Sequence, residues 1–170
     1  NVAWLNFLNP PFFFNEVAVD SNGNVYATGY TIININDFSP YTYTFGPDTV
    51  TIPHVNGVRR DNVMFVCKYS ATGEELWMRA SPGNIYIRGN GIEIDAYDNI
   101  YVMGQYVVPT TFGGFTLPNS DFISNSYSLS DPEYKTFVAK ITASGNVDWL
   151  KQTGNHFRLE TADFEVGNHG

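Results

Sequence analysis

Residues 17–29, VAVDSNGNVYATG, return 75 positions later as residues 92–104, IEIDAYDNIYVMG, with the apolar, Asp, Asn, Tyr and Gly positions kept. A second segment, residues 65–77, FVCKYSATGEELW, returns 72 positions later as residues 137–149, FVAKITASGNVDW. The two motifs alternate in the same order, so the chain is a tandem repeat, and each repeat is one supersecondary unit that must stack on its neighbours to bury its apolar face. The ends continue the pattern: Asn1-Val2-Ala3-Trp4 matches Asn146-Val147-Asp148-Trp149, and Phe164-Glu165-Val166 matches Ile92-Glu93-Ile94. This predicts a preceding tail over 1–13, full repeats over 14–84 and 85–157, and the start of another over 158–170.

Each unit reads as strands. Val17/Val19 and Ile92/Ile94 alternate at period two, a turn cluster follows, and β-branched and aromatic residues resume at Val25 and Ile100. Asn22-Gly23 predicts a type I′ turn with both central residues at positive φ, and Tyr97-Asp98 in the second copy predicts a different one. Met64–Tyr69 with Leu76–Arg79, and Thr136–Ile141 with Val147–Lys151, give a second hairpin per unit. Thr49–Ile52 between the hairpins suggests a further short strand. No segment has a helical period. The fold class expected is all-β, with antiparallel four-stranded meanders of the kind that form β-propeller blades, two full and two partial.

Composition closes off other classes. With 43% hydrophobic and 15% charged residues the chain can bury a core. A formal charge of −8 is the wrong sign for neutralising phosphates, so no nucleic-acid partner is expected. Cys67 is the single cysteine, which excludes an internal disulfide framework and a multi-cysteine zinc site. No run of about 18 apolar residues occurs, so no membrane insertion is expected. The N-terminus carries neither Met nor a signal-type stretch, as expected of a chain processed or cut from something longer.

The string D-x-x-G-N-V-Y-x-T-G over residues 20–29, followed by F-V-x-K-Y-x-x-x-G-x-x-x-W over 65–77, resembles the SBBP repeat, the seven-bladed β-propeller type. The linking segments, Phe45-Gly46 with Thr51-Ile52-Pro53 and Phe112-Gly113 with Thr116-Leu117-Pro118, resemble versions found in large secreted proteins of Bacteroidetes exported by the type IX system. The resemblance implies an extracellular or cell-surface module, structural or adhesive, without assigned chemistry. Departures stand at Asp98, in place of the turn Gly, and at Gly167, in place of the motif Asp.

Individual residues sort by this repeat. Trp4, Trp77 and Trp149 hold equivalent places and are expected as packing anchors. Lys68 and Lys140 recur on a strand otherwise flanked by apolar residues, so a repeated contact with Asp20 and Asp95, or a Lys capping backbone carbonyls, is expected, since a buried cation needs a partner. Asp20-Ser21-Asn22-Gly23-Asn24 has the spacing of a calcium-loop start, but Thr31 stands where the terminal Glu belongs, so a structural turn and no metal are expected. Cys67 is Ala139 in the twin, a small buried position rather than a nucleophile. His54, His156 and His169 sit in loop-like contexts without ligand spacing. No nucleophile motif, phosphate loop or carboxylate pair stands out, so no catalysis and no cofactor are expected; Glu93 and Glu165 are equivalent and Glu16 is adjacent to that position. Partner contacts are expected from the linking segments 31–62 and 105–134, through Tyr41, Tyr43, Tyr106, Tyr127 and Tyr134, whose rings suit protein surfaces and sugars alike. The partners expected are other blades of this or neighbouring chains, then surface proteins or glycans. Unmatched faces at the two ends would close into a ring or propagate as a filament.

Overall fold

The computed structural model describes residues 12–34, 40–52, 60–82, 86–107, 109–118, 134–156 and 165–167. The elements there are all strands. β1 (Phe12–Val19), β2 (Val25–Asn34), β5 (Arg60–Tyr69) and β6 (Glu75–Ala80) form an antiparallel sheet in the order β1-β2-β5-β6. β7 (Ile87–Ile94), β8 (Ile100–Tyr106), β11 (Tyr134–Ile141) and β12 (Val147–His156) form a second sheet in the same sequential order. Between the second and third strand of each meander lies a two-stranded ribbon, β3 (Tyr41–Phe45) with β4 (Asp48–Ile52) and β9 (Thr110–Phe112) with β10 (Phe115–Leu117). The all-β expectation and the four-stranded blade hold, and Thr49–Ile52 falls within β4. β1 begins at Phe12, which pairs with Thr31, two residues before the expected start of the unit.

All four blade hairpins use one turn. Asp20 N donates to Asn24 O and Gly23 N to Asp20 O, both at 3.0 Å, and the same pair of bonds recurs at Ser70, Asp95 and Thr142. One residue per turn takes positive φ: Gly23 (80°), Gly73 (87°), Asp98 (60°) and Gly145 (84°). Asn22 does not, so the type I′ turn expected there is replaced by a three-residue loop. Asp98 closes the same loop as Gly23, contrary to the expectation of a different turn. The first residue of each loop supplies the acceptor that holds it shut. Asp20 Oδ1 accepts from Asn22 N and Asn24 N, Asp95 Oδ1 from Tyr97 N and Asn99 N, and Ser70 Oγ from Thr72 N and Glu74 N. Asx and Ser/Thr turns of this kind are why D-x-x-G-N and S-x-x-G are interchangeable here.

The first strand of each blade bulges at an Asn, with the register shifting between Phe14 and Glu16 and between Gly89 and Gly91. The bulge drives the strand's carbonyl against its neighbour. A Cβ at Gly29 would collide with the Phe13 carbonyl, and one at Gly104 with the Arg88 carbonyl and the Phe137 ring. The Gly that ends each motif is therefore fixed by close backbone approach.

The sheets stack face to face. Tyr26, Met64, Val66 and Trp77 of the first share one buried cluster with Ile87, Ile92, Val102, Phe137 and Ala139 of the second. β7 packs against β1, β2 and β5, so the blades converge at their first strands and diverge toward β6 and β12. The β9–β10 ribbon fills the resulting wedge, where Phe112 and Leu117 join the inter-blade cluster, whereas Phe45 of the β3–β4 ribbon packs with Phe65, Cys67, Tyr69 and Met78 on the opposite face of the first blade.

Candidate functional site

Polar side chains lock the junction at three radii. On the first strand, Asn15 Nδ2 donates to the Gly89 carbonyl at 2.6 Å and Glu16 Oε2 accepts from Ile92 N at 2.7 Å. At the turns, Ser21 donates both its N–H (3.0 Å) and its Oγ–H (2.7 Å) to the Asp98 carboxylate. On the last strand, Trp77 Nε1 donates to the Ala143 carbonyl at 3.1 Å. Asp98 thus explains its own departure from the motif: it accepts a backbone conformation suited to Gly and gains a bidentate contact across the junction.

At the end of the sheets away from the β1–β2 and β7–β8 turns, five side chains from both blades form a continuous row. Phe13 stacks on Tyr30 with ring centroids 5.0 Å apart. The Arg88 guanidinium lies 4.0 Å from the Tyr30 centroid and 4.5 Å from that of Tyr86, and Tyr86 meets Tyr134 edge-on at 5.0 Å. Two cation–π contacts of this kind contribute about 0.5–2 kcal/mol each. Tyr86 has φ 63°, a conformation costing about 1–3 kcal/mol in a non-glycine residue and concentrated at functional sites. Arg88 Nε is buried without a hydrogen-bond partner. The row therefore presents a fixed guanidinium, whose planar N–H fork matches a carboxylate, beside the exposed rings of Phe13 and Phe14.

A cleft of about 360 Å³ opens at the outer edge of the junction between Arg79, Ala80, Phe112, Gly113 and the Gly145–Val147 segment. Its one cation is already occupied: Arg79 Nη1 lies 2.6 Å from Asp48 Oδ2, which also accepts from Met78 N at 3.1 Å. Among the described residues no group of three or more His, Cys, Asp or Glu gathers to hold a metal.

The comparisons with known proteins agree with the blade geometry. Residues 13–36, which span β1, its turn and β2, match the family model of the β-propeller repeat, SBBP. That segment carries the SBBP β-propeller repeat. An uncharacterized WD repeat-containing protein of Acanthamoeba polyphaga mimivirus is 30% identical over 165 residues, which is 91% of this chain and 11% of that relative. The chain therefore spans about a tenth of the length of the curated relative it matches.

Within the propeller frame the expected site residues separate. Trp77 is 7% exposed and is the outer anchor of the junction, while Trp149 stays half-buried over Tyr101, 6.2 Å between centroids. Lys68 meets Asp20 at 3.7 Å and stands over the Tyr26 ring at 4.7 Å. In the second blade Lys140 stands over Tyr101 at 5.8 Å, and Asp95 is taken up by Asn99 and Tyr101. The Lys–Asp ion pair thus occurs in one blade of the two among the described residues. Asp20 and Asp95 both sit below the usual carboxylate range; burial pushes them up, but hydrogen bonds from Asn24, Tyr26 and Asn22, or from Asn99, Tyr97 and Tyr101, outweigh it. Cys67 is fully buried and its thiol is pushed up by burial, as a packing residue should be.

The tyrosines expected as a loop surface are corrected in part. Tyr106 is fully buried in β8, donates to Gln152 Oε1 at 2.9 Å, and is pushed up to about 12 by burial, so it is a core donor with no surface to offer. Tyr41 and Tyr43 stack on each other along β3, and Tyr43 meets Phe12 edge-on at 4.7 Å, fastening the ribbon to its blade. Tyr134 belongs to the row through Tyr86. His156 ends β12 rather than lying in a loop. Trp4, Tyr127, His54 and His169 lie outside the described residues. Sequence reasoning missed Arg88, Tyr86, Tyr30 and Phe13; the repeat alignment offered one signal, a lone Arg88 where the first unit has Phe13.

Proposed function

We propose that this chain is a non-enzymatic segment of an extracellular or cell-surface propeller that serves as a scaffold and binds a partner protein at the inter-blade row Phe13, Tyr30, Arg88, Tyr86 and Tyr134. The observation that carries the reading is Arg88, held between two rings of different blades with a buried unpartnered Nε, next to the exposed Phe13. Aromatic residues and Arg are the types enriched where binding energy concentrates. The extracellular setting rests on the resemblance of the linking segments to secreted repeat proteins. The non-enzymatic reading is supported by what the perturbed groups do: Asp20 and Asp95 close turns, and Cys67 and Tyr106 pack. A lectin-like second reading is favoured by the outward ring of Phe13, which could take a sugar face.

Peptide display selection on the purified chain, with a glycan array in parallel, tests the two. Binders selected on the parent should lose at least about tenfold affinity on Arg88→Ala and on Phe13→Ser. Selected peptides that bind both variants like the parent would count against the row, and glycan binding lost on Phe13→Ser would favour the lectin reading.

A further inference from the structure

We infer that the cleft at the outer edge of the junction binds a carboxylate on a short apolar stem, held by the Gly113 N–H and the Arg79 guanidinium.

The first blade supplies the template. The β3–β4 ribbon turns at Gly46, φ 54°, and its N–H donates at 2.9 Å to Oε2 of Glu75, the first residue of β6. The chain thus lays a carboxylate of its own on the tip of that ribbon. The β9–β10 ribbon turns at the equivalent Gly113, φ 59°, and the equivalent first residue of β12 is Val147. The two tips sit alike: a Cβ on Gly46 would strike the backbone and Cβ of Glu75, and one on Gly113 would strike the side chain of Val147. Val147 stops at its γ carbons, so among the described residues no carboxylate of this chain reaches Gly113 N. Gly113 is exposed, and it lines the cleft together with Val147 and, from the first blade, Arg79.

Arg79 supplies the charge. Its contacts with Asp48 and with the Met78 carbonyl, at 2.6 and 2.8 Å, both fall on Nη1. Nε and Nη2 make no hydrogen bond among the described residues, and the side chain is 36% exposed. Their parallel N–H bonds form the fork that matches the two oxygens of a carboxylate. Asp48 and the Trp77 ring, 5.6 Å from the guanidinium carbon, already hold the group in place, so little freedom is lost when it takes a second carboxylate. Ala80, Phe112 and Val147 give the cleft apolar walls, and its volume of about 360 Å³ lies at the small end of the range for ligand sites, about 300–1,000 Å³. It therefore suits a carboxylate on a few methylenes, the chemistry shared by a free short-chain acid and a glutamate side chain. This site is independent of the Arg88 row.

Amide nitrogen–proton correlation spectra of the whole chain test it, with sodium butyrate, with butyramide as the uncharged isostere, and with glutamate blocked at its amino and α-carboxyl groups. Butyrate should move the Gly113 amide saturably, with a dissociation constant on the order of 1–10 mM, and butyramide should not. In Val147→Glu the chain supplies the carboxylate itself: the Gly113 amide should shift without ligand, and butyrate should bind at least about tenfold more weakly. Arg79→Gln, which leaves the apolar walls in place, should weaken binding by a similar factor and carries the test should Val147→Glu fail to fold. Blocked glutamate binding more tightly than butyrate assigns the cleft to an acidic side chain of a partner, and the reverse order assigns it to a free acid; either result supports the inference. A Gly113 amide unmoved at about 100 mM of both acids, butyramide binding as well as butyrate, or binding unchanged in both variants would overturn it.

Discussion

Asp20 gathers more of the blade's polar chemistry than any other side chain described. Its Oδ1 holds the turn, and its Oδ2 accepts from Asn24 Nδ2 at 2.8 Å and Tyr26 Oη at 3.1 Å while facing Lys68. Its twin Asp95 makes the turn contacts from a more exposed place. Removing a buried acceptor strands its donors, so Asp20→Ala should cost about 3 kcal/mol in urea unfolding and Asp95→Ala about 1–2 kcal/mol. Because both carboxyls are held below their unfolded value of about 3.9, the stability they contribute is fully present above that pH. It is lost as the pH falls through the lower folded value. The acid limb of the parent's unfolding midpoint below about pH 4 should accordingly flatten in Asp20→Ala. Asp98 yields a sharper test. Asp98→Gly relieves the positive φ but loses Ser21, and the two effects of about 1 kcal/mol each should nearly cancel. In a Ser21→Ala background, where only the backbone N–H bond to Asp98 is left to lose, the same change should be more favourable by about 0.5–1 kcal/mol than in the parent, a coupling measurable by a double-mutant cycle.

Strands were legible wherever the repeat doubled the signal. Period-two alternation at Val17/Val19 and Ile92/Ile94, stated twice in one chain, separates a strand from chance, and the turn residues bracket it. The ribbons were half legible. Thr49–Ile52 reads as a strand by propensity, whereas Tyr41–Phe45 sits in a linking segment whose tyrosines suggest a binding loop, although its alternation of Tyr and Thr is the same period-two signal. Turn type was missed because Asn-Gly fits two loops, and only the bond from Asp20 N to Asn24 O distinguishes them. The arginine row was not legible at all: it is built from residues of different strands and blades, and no spacing along the chain places Tyr30 beside Arg88. The bulges belong to this scale too. They bring a carbonyl onto Gly29 and Gly104, so Gly29→Ala and Gly104→Ala should each cost about 3 kcal/mol or more, since backbone must move to admit the methyl. Gly114, with open space at its Cβ and φ 87°, should lose only about 1 kcal/mol on the same change. Thermal midpoints of the three variants, compared side by side, separate collision from backbone conformation.

For the whole molecule, the junction decides how the blades unfold. A blade has two apolar faces, and the largest cluster of buried residues draws on both sheets and on the β9–β10 ribbon between them. The second sheet's own residues Ile87, Ile92 and Val102 are buried only with the first blade in place, so neither sheet retains a complete core if the other opens. Blades of a propeller stabilise through nearest-neighbour interfaces, and here that interface is continuous from Asn15 and Glu16 inward to Trp77 outward. The described blades should therefore unfold in one transition. Glu16→Gln weakens the carboxylate acceptor of Ile92 N, and Trp77→Phe removes the indole donor to Ala143. Each should lower the urea midpoint by an amount matching about 1–2 kcal/mol with the slope unchanged. In native-state hydrogen exchange the Ile92 amide, which faces Glu16 rather than β8, should be protected to the same free energy as the amides of β2 and β5 in the parent, and should fall below them in Glu16→Gln. Two resolved transitions, or an Ile92 amide that exchanges freely in the parent, would mean that the blades are energetically separate and that the junction aligns them without joining them.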